Sequence, residues 1–160
     1  CPCGFYGSPS QKCACTPVQI QKYMGKISGP LMDRIDIHIE VPAVKIKELS
    51  GQPTGEKSLA IRERVNHARQ IQLQRFTEEK KIFCNAHMET KEIRKYCQID
   101  SDCLELLRNA IAKLGLSARA YDRIIKVART IADLEESSQI LPVHISEAVQ
   151  YRGLDRNLWM

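Results

Sequence analysis

Four of the seven cysteines lie within the first fifteen residues, as two C-x-C pairs: Cys1 with Cys3, then Cys13 with Cys15. Two thiolate pairs joined by a short loop that contains Gly, Pro and Ser can supply the four sulfur ligands of a tetrahedral zinc ion. Such a closed site would be structural. The C-x-C spacing is tighter than the usual C-x2-C, so unliganded cysteines stay an alternative. An odd cysteine count with one dense cluster favours a reducing cytosol over a disulfide scaffold.

The second candidate is Arg34, in the run Ile27-Ser28-Gly29-Pro30-Leu31-Met32-Asp33-Arg34-Ile35-Asp36-Ile37-His38. An arginine fixed at the edge of a protein can present its guanidinium group to a phosphate. The alternative is an ordinary helix-to-strand junction with a local pair between Arg34 and a carboxylate, which is worth little when exposed. The local sequence alone favours that alternative.

A third candidate is the basic face of a helix that Ser117 can cap. Arg119, Arg123 and Lys126 recur there at helical spacing, and the opposite face carries Tyr121, Ile124, Ile125 and Ala128. This segregation predicts that the apolar side is core and that the basic side faces solvent or a partner. Arg119 falls in the first turn, where a cation opposes the helix dipole, which points to a functional role.

The hydrophobic pattern predicts a mainly α-helical chain. Thr16, Pro17 and Gln19 form a capping box for a first helix that ends near Gly25. Other helical segments are predicted at Leu31–Arg34, 58–81 and Thr90–Tyr96. A further helix carries Leu104, Leu107, Ile111 and Leu114 and ends at Gly115. The last two run from Ser117 to about Leu134 and around Ile145–Val149. We therefore expect a small helical bundle, preceded by a cysteine-rich loop and a short helix.

One short strand is predicted before the bundle. Isoleucine and valine alternate with polar residues over Ile35–Val41, and Pro42 follows. A lone strand is not stable without neighbours. The predicted division is a first unit at 1–49, a linker at 50–57, a helical domain at 58–153 and a tail at 154–160.

Composition sets broad limits on function. The chain has 160 residues, 43% of them hydrophobic, and a net charge of +5. This fits one globular domain, alone or with a small appendage, and it permits a polyanionic partner without requiring one. No apolar run approaches the roughly 20 residues of a membrane span. Because the N-terminus has neither an initiator Met nor a signal pattern, we expect that the chain is cut from a longer protein.

Several long motifs together resemble the C-terminal part of the ComM/YifB group, bacterial AAA+ ATPases of the magnesium-chelatase-like family. They are the segment from Cys1-Pro2-Cys3-Gly4 to Cys15-Thr16-Pro17, the run Ile27–Asp36, Ile61-Arg62-Glu63-Arg64-Val65, Leu116–Ile124, Val127–Leu134 and Glu147–Arg152. The resemblance covers essentially the whole chain. It implies that residues 1–49 are a remnant of the AAA+ core and that 58–153 form its helical lid.

The resemblance also implies roles for single residues. Arg34 falls at the arginine-finger position and would act in trans on the nucleotide of a neighbouring subunit. Arg119 falls at the sensor-2 position and would contact the phosphates of ATP. Cys1, Cys3, Cys13 and Cys15 match a cysteine cluster of the group, which strengthens the zinc hypothesis.

For the full-length protein the resemblance implies ATP and Mg²⁺ as cofactors, a homo-oligomeric ring (a hexamer), no membrane association, a cytoplasmic location and action on DNA. That action would be a helicase or branch-migration role in the processing of incoming DNA. The 160 residues contain no G-x-x-x-x-G-K-[ST] phosphate loop. We therefore expect no ATP hydrolysis by this chain alone.

Two other functions stay open at this point. One is a zinc-knuckle adaptor that binds nucleic acid through the basic face around Arg123 and Lys126, with salt-dependent affinity. The other is the ATPase subunit of a metal chelatase. Strong DNA binding by the isolated chain would favour the adaptor.

Overall fold

The computed structural model describes residues 1–8, 11–41, 44 and 55–153, and these contain seven α-helices and one 3-10 helix. In chain order they are α1 (Pro17–Met24), α2 (Gly29–Met32), α3 (Ser58–Arg75), the 3-10 helix (Asn85–His87), α4 (Thr90–Tyr96), α5 (Ser101–Leu114), α6 (Ala118–Leu134) and α7 (Pro142–Gln150). The prediction of a mainly α chain with a small helical bundle is confirmed.

Helix α6 is the centre of the bundle and contacts α3, α4, α5 and α7. Its predicted apolar face is buried at Ile124, Ile125 and Ala128, next to Leu107 of α5 and Ile145 of α7 in one hydrophobic core. The opposite face keeps Arg119 exposed. The amphipathic pattern therefore decides which side of α6 carries charge at the surface.

The predicted helix ends follow local capping chemistry. The Thr16 hydroxyl accepts a hydrogen bond from the Gln19 N–H, and the Gln19 side chain accepts one from the Thr16 N–H, so the capping box of α1 is present. Gly115 ends α5 in the left-handed region with a φ of 59°, a conformation that glycine adopts without a Cβ clash. Ser117 caps α6 through the Ala120 N–H.

Helix α3 ends earlier than predicted, at Arg75 instead of residue 81. The Thr77 hydroxyl lies within hydrogen-bond distance of the Leu73 and Gln74 carbonyls and shares its single proton between these acceptors at the helix end. Phe76 is buried at this point. The sequence periodicity could not show this stop because the residues that follow are ordinary helix formers.

The predicted strand at Ile35–Val41 is wrong, since the structure assigns no strand to these residues. The segment is held from one side, where the His38 N–H donates to the Tyr151 carbonyl at 2.8 Å. Alternation of apolar residues makes an extended backbone compatible with a sheet, but a strand also needs a neighbour to complete the hydrogen-bond ladder.

Residues 50–54 of the predicted linker and the whole predicted tail lie outside the described residues, and the division into domains stays a prediction.

None of the helices in the described part of the chain is both long enough and apolar enough to cross a bilayer.

Candidate nucleotide-contacting site and cysteine cluster

The segment of residues 33–38, which carries Arg34, is bound to the N-terminal half of α6. The Ser117 hydroxyl donates to a carboxylate oxygen of Asp33 at 2.8 Å. The Arg123 guanidinium forms an ion pair with Asp36 and also donates to the Arg34 carbonyl at 2.8 Å. Both aspartates that flank Arg34 therefore bind groups of the helical bundle.

Arg152, which follows α7, also binds the segment of residues 33–38. It is fully buried, and its guanidinium donates to the Ile35 carbonyl and lies 3.5 Å from a carboxylate oxygen of Asp33. A buried cation is costly unless it is paired and hydrogen-bonded. The need of Arg152 for acceptors therefore fixes the path of residues 33–35 over the bundle.

These contacts decide the environment of the Arg34 side chain. Arg34 is exposed, and its guanidinium donates to the Pro30 carbonyl, one turn earlier, at 2.9 Å. Within the described residues no carboxylate forms an ion pair with it. The local arginine–carboxylate pair that the sequence favoured is thus not formed, because Asp33 and Asp36 are engaged elsewhere.

Arg119 lies in a cleft of about 270 Å³ between α6, the 3-10 helix and the 33–38 segment. We call this the basic cleft, and its lining residues are Asp36, Ala86, Arg119, Asp122, Arg123 and Lys126. Lys126 donates to the Ala86 carbonyl at 3.2 Å, and Arg123 is paired with Asp36. In the described part of the chain Arg119 has no ion-pair partner, and the first turn of α6 contains no acidic residue.

The structure thus connects two predicted site residues through a third. Arg123 binds the main chain of Arg34 and lines the basic cleft together with Arg119. The helical spacing predicts only a place on a basic face for Arg123, and no local pattern predicts a role for Arg152. The spacing of Asp33 and Asp36 around an arginine is the sequence signal that could have suggested partners elsewhere in the chain.

The four N-terminal cysteines form a compact cluster. All four sulfur atoms lie within 4.8 Å of one another, and the Sγ atoms of Cys1, Cys3 and Cys13 are separated by 3.4–3.6 Å. A tetrahedral zinc ion with Zn–S bonds of about 2.3 Å requires sulfur–sulfur distances of roughly 3.8 Å. The four sulfur atoms therefore need only small shifts to coordinate one zinc ion.

The thiols of the cluster differ in acidity. The backbone N–H of Cys15 lowers the pKa of Cys13, but burial and the Cys3 and Cys15 side chains raise it on balance. The backbone N–H of Phe5 is the main cause that lowers the pKa of Cys3 to about 6, with smaller contributions from the Cys15 and Cys13 side chains. By contrast, burial raises the pKa of Cys97 and of Cys103 to about 11. A thiolate is the metal-binding form of cysteine, so Cys3, which is half-buried, is better suited to a metal than the two core cysteines.

The sequence matches two models of one family. The model of the C-terminal part of magnesium chelatase subunit ChlI matches residues 55–152, and that of the ChlI subunit matches residues 1–49. The chain is 41% identical over 158 residues to the uncharacterized protein YifB of Salmonella typhimurium, covering 98% of this chain and 30% of that protein.

Two further relatives agree. The identity is 40% over 158 residues with the competence protein ComM of Haemophilus influenzae, again covering 98% of this chain and 30% of that protein. It is 32% over 134 residues with the uncharacterized protein Rv2897c of Mycobacterium tuberculosis, covering 84% of this chain and 26% of that protein. The chain thus spans less than a third of the length of these relatives. The resemblance inferred from the motifs is confirmed, and the chain belongs to the magnesium chelatase subunit ChlI family.

Proposed function

We propose that this chain is the lid and arginine-finger part of a ring-forming AAA+ ATPase. In this proposal Arg34 reaches the γ-phosphate of ATP bound by the neighbouring subunit, and Arg119 contacts nucleotide phosphates as sensor 2. ATP and Mg²⁺ are bound mainly by parts of the full-length protein outside these 160 residues. The chain alone does not hydrolyse ATP.

The observation that carries the proposal is the engagement of both aspartates beside Arg34 by other groups. Ser117 and Arg152 bind Asp33, and Arg123 binds Asp36. An arginine finger must keep its charge for the phosphoryl group, and a carboxylate of its own subunit would compete for that charge. The docked segment supplies a fixed backbone and leaves the exposed guanidinium available.

Arg119 fits the sensor-2 role for a related reason. A cation in the first turn of a helix is unfavourable with respect to the helix dipole, and α6 has no acid there to compensate. A triphosphate in the basic cleft would supply the missing negative charge. The cations of Arg123 and Lys126, by contrast, are already bound to Asp36 and to the Ala86 carbonyl.

Subunit mixing tests the action of Arg34 in trans. Full-length Arg34→Ala is mixed with a full-length variant whose phosphate loop is disabled. Neither variant alone is expected to hydrolyse ATP, because each ring lacks one half of every site. Mixed rings are expected to regain hydrolysis, since an intact phosphate loop then meets an intact Arg34 at some interfaces.

The control is a mixture of the phosphate-loop variant with a second variant of the same loop, which restores no interface. If Arg34 acted within its own subunit, mixing would recover nothing beyond this control, and the proposal would be overturned.

We propose further that Cys1, Cys3, Cys13 and Cys15 bind one structural zinc ion. The proposal is supported by the four sulfur atoms within 4.8 Å and by the lowered pKa of Cys3. Four thiolates leave no open coordination position, so the ion would brace the N-terminal loop and take no part in catalysis.

Zinc analysis of the purified chain is expected to give one ion per molecule. Cys3→Ser and Cys13→Ser are each expected to abolish stoichiometric zinc, because a hydroxyl is a poor replacement for a thiolate ligand. Affinity should fall as the pH is lowered, since protons compete for the thiolates. Cys84→Ser, at a partly buried cysteine outside the cluster, is the matched control and should keep its zinc. Equal zinc content in all three variants would show that the four cysteines are not the zinc ligands.

The wider role follows from the relatives and is part of the proposal. One relative is named as a competence protein, and we propose that the full-length ring, a hexamer, acts in the cytoplasm on DNA, in helicase or branch-migration processing of incoming strands. The mild positive charge of +5 is compatible with a polyanionic partner.

A further inference from the structure

The connection between α3 and α4 presents an aromatic pair to solvent. We call residues 77–87 the aromatic loop. Phe83 is 52% exposed, His87 is also exposed, and the two rings meet edge to face with centroids 6.2 Å apart. About half of the Phe83 side chain is therefore accessible to a ligand.

The loop that presents these rings is firmly anchored. Asn85 is buried, and its side-chain amide donates to Asp133 at 2.8 Å and to Thr130 at 3.0 Å, while its carbonyl oxygen accepts from Arg75 at 2.9 Å. Met88, directly after the loop, is buried in the core. The exposed rings are thus held in place before any ligand arrives, which lowers the entropic cost of binding.

The aromatic loop carries positive charge close to Phe83 in sequence. Lys80 and Lys81, both exposed, precede Phe83, and Lys126 donates to the carbonyl of Ala86, which borders the basic cleft. The acidic Glu79 of the loop is already bound to Tyr96 and Lys95.

Asp122 is the acid that lines the cleft without an ion-pair partner among the described residues. Within the aromatic loop Glu78 is exposed and forms no ion pair among the described residues, so the loop offers two lysines against one free acid.

We propose that the aromatic loop, through Phe83, Lys80 and Lys81, binds single-stranded DNA. An exposed ring on a rigid loop stacks on an unpaired base, and nearby lysines bind the backbone phosphates, which is the usual combination in sequence-independent single-strand binding. Duplex DNA is excluded from this contact because its bases are already stacked on each other. The choice of DNA rests on the proposed role of the full-length protein.

The first test is Phe83→Ala in the full-length protein, with an oligonucleotide that contains 2-aminopurine as the probe. Affinity for the single strand is expected to fall about 5- to 150-fold for one lost stacking contact. The fluorescence quenching that stacking causes should disappear. Phe83→Tyr keeps a stacking face and should restore both signals. The matched control is Tyr23→Ala. It removes an exposed aromatic ring of α1 that lies close to the ammonium group of Lys26.

The second test is the double variant Lys80→Ala and Lys81→Ala. Because each phosphate contact in a single strand contributes about 0.7 to the slope of log K against log salt, this slope should decrease in magnitude by roughly 1.4. ATP hydrolysis without DNA should be unchanged in all of these variants.

The outcomes separate this inference from the proposed function. If the full-length wild type binds no single-stranded DNA, the proposed DNA role and this surface both fail. If it binds, and Phe83→Ala binds equally well, the surface alone is wrong and the ATPase proposal stands. A loss of ATP affinity without a loss of DNA affinity would assign the ring to the nucleotide and would also overturn the inference.

Discussion

In the full-length protein, Arg34→Ala should lower kcat for ATP hydrolysis by about 10³- to 10⁵-fold, the range found for arginine fingers. The transition state of phosphoryl transfer carries its charge on the equatorial oxygens, and a positioned guanidinium stabilises that charge more than it stabilises bound ATP. Nucleotide affinity should change little, because the phosphate loop and Mg²⁺ supply most of the ground-state binding. Steady-state hydrolysis and equilibrium binding of a fluorescent nucleotide measure the two quantities.

Two control variants separate chemistry from structure. Arg34→Lys keeps the charge but loses the planar fork, so it should recover only part of the activity. Arg108→Ala removes an exposed arginine from α5 and should leave kcat unchanged. Ring formation must be verified for Arg34→Ala by light scattering. Intact rings with unchanged kcat would be incompatible with the finger assignment.

The second large effect concerns stability. Asp133→Ala should lower the free energy of unfolding by about 3–5 kcal/mol, the cost of removing one partner from a buried ion pair. The Asp133 side chain is fully buried and binds Arg75, Arg129 and the amide of Asn85. Burial already lowers the pKa of Arg129, which shows that the pocket disfavours its charge. Without Asp133, the acceptors that remain to this guanidinium among the described residues are the carbonyl oxygens of residues 137 and 138.

Urea denaturation of the 160-residue chain measures this loss as a shift of the midpoint at constant slope. Asp102→Ala, at an exposed acid in the first turn of α5, is the control and should cost well under half as much. If the two substitutions destabilised the chain equally, the Asp133 network would not be a major source of stability.

The helices were predictable because the signals that begin and end them are local. The capping box at Thr16, the glycine at position 115 and the amphipathic pattern of α6 each depend on residues within a few positions of one another. The early end of α3 at Arg75 is the exception. There a side-chain hydroxyl and a buried phenylalanine overrode the local preference for helix.

Residue types and motifs were enough to name the candidate groups of the site: the two arginines, the four cysteines and the face of α6 that bears charge. The contacts that hold these groups depend on residues far apart in the chain. Ser117 binds Asp33 across 84 residues, and Arg123 binds Asp36 across 87 residues, so no local pattern could reveal these pairs. Buried and half-buried cations take whichever acceptors packing brings near, and that choice engaged both acids beside Arg34, left its guanidinium exposed and held an extended segment where a strand was expected.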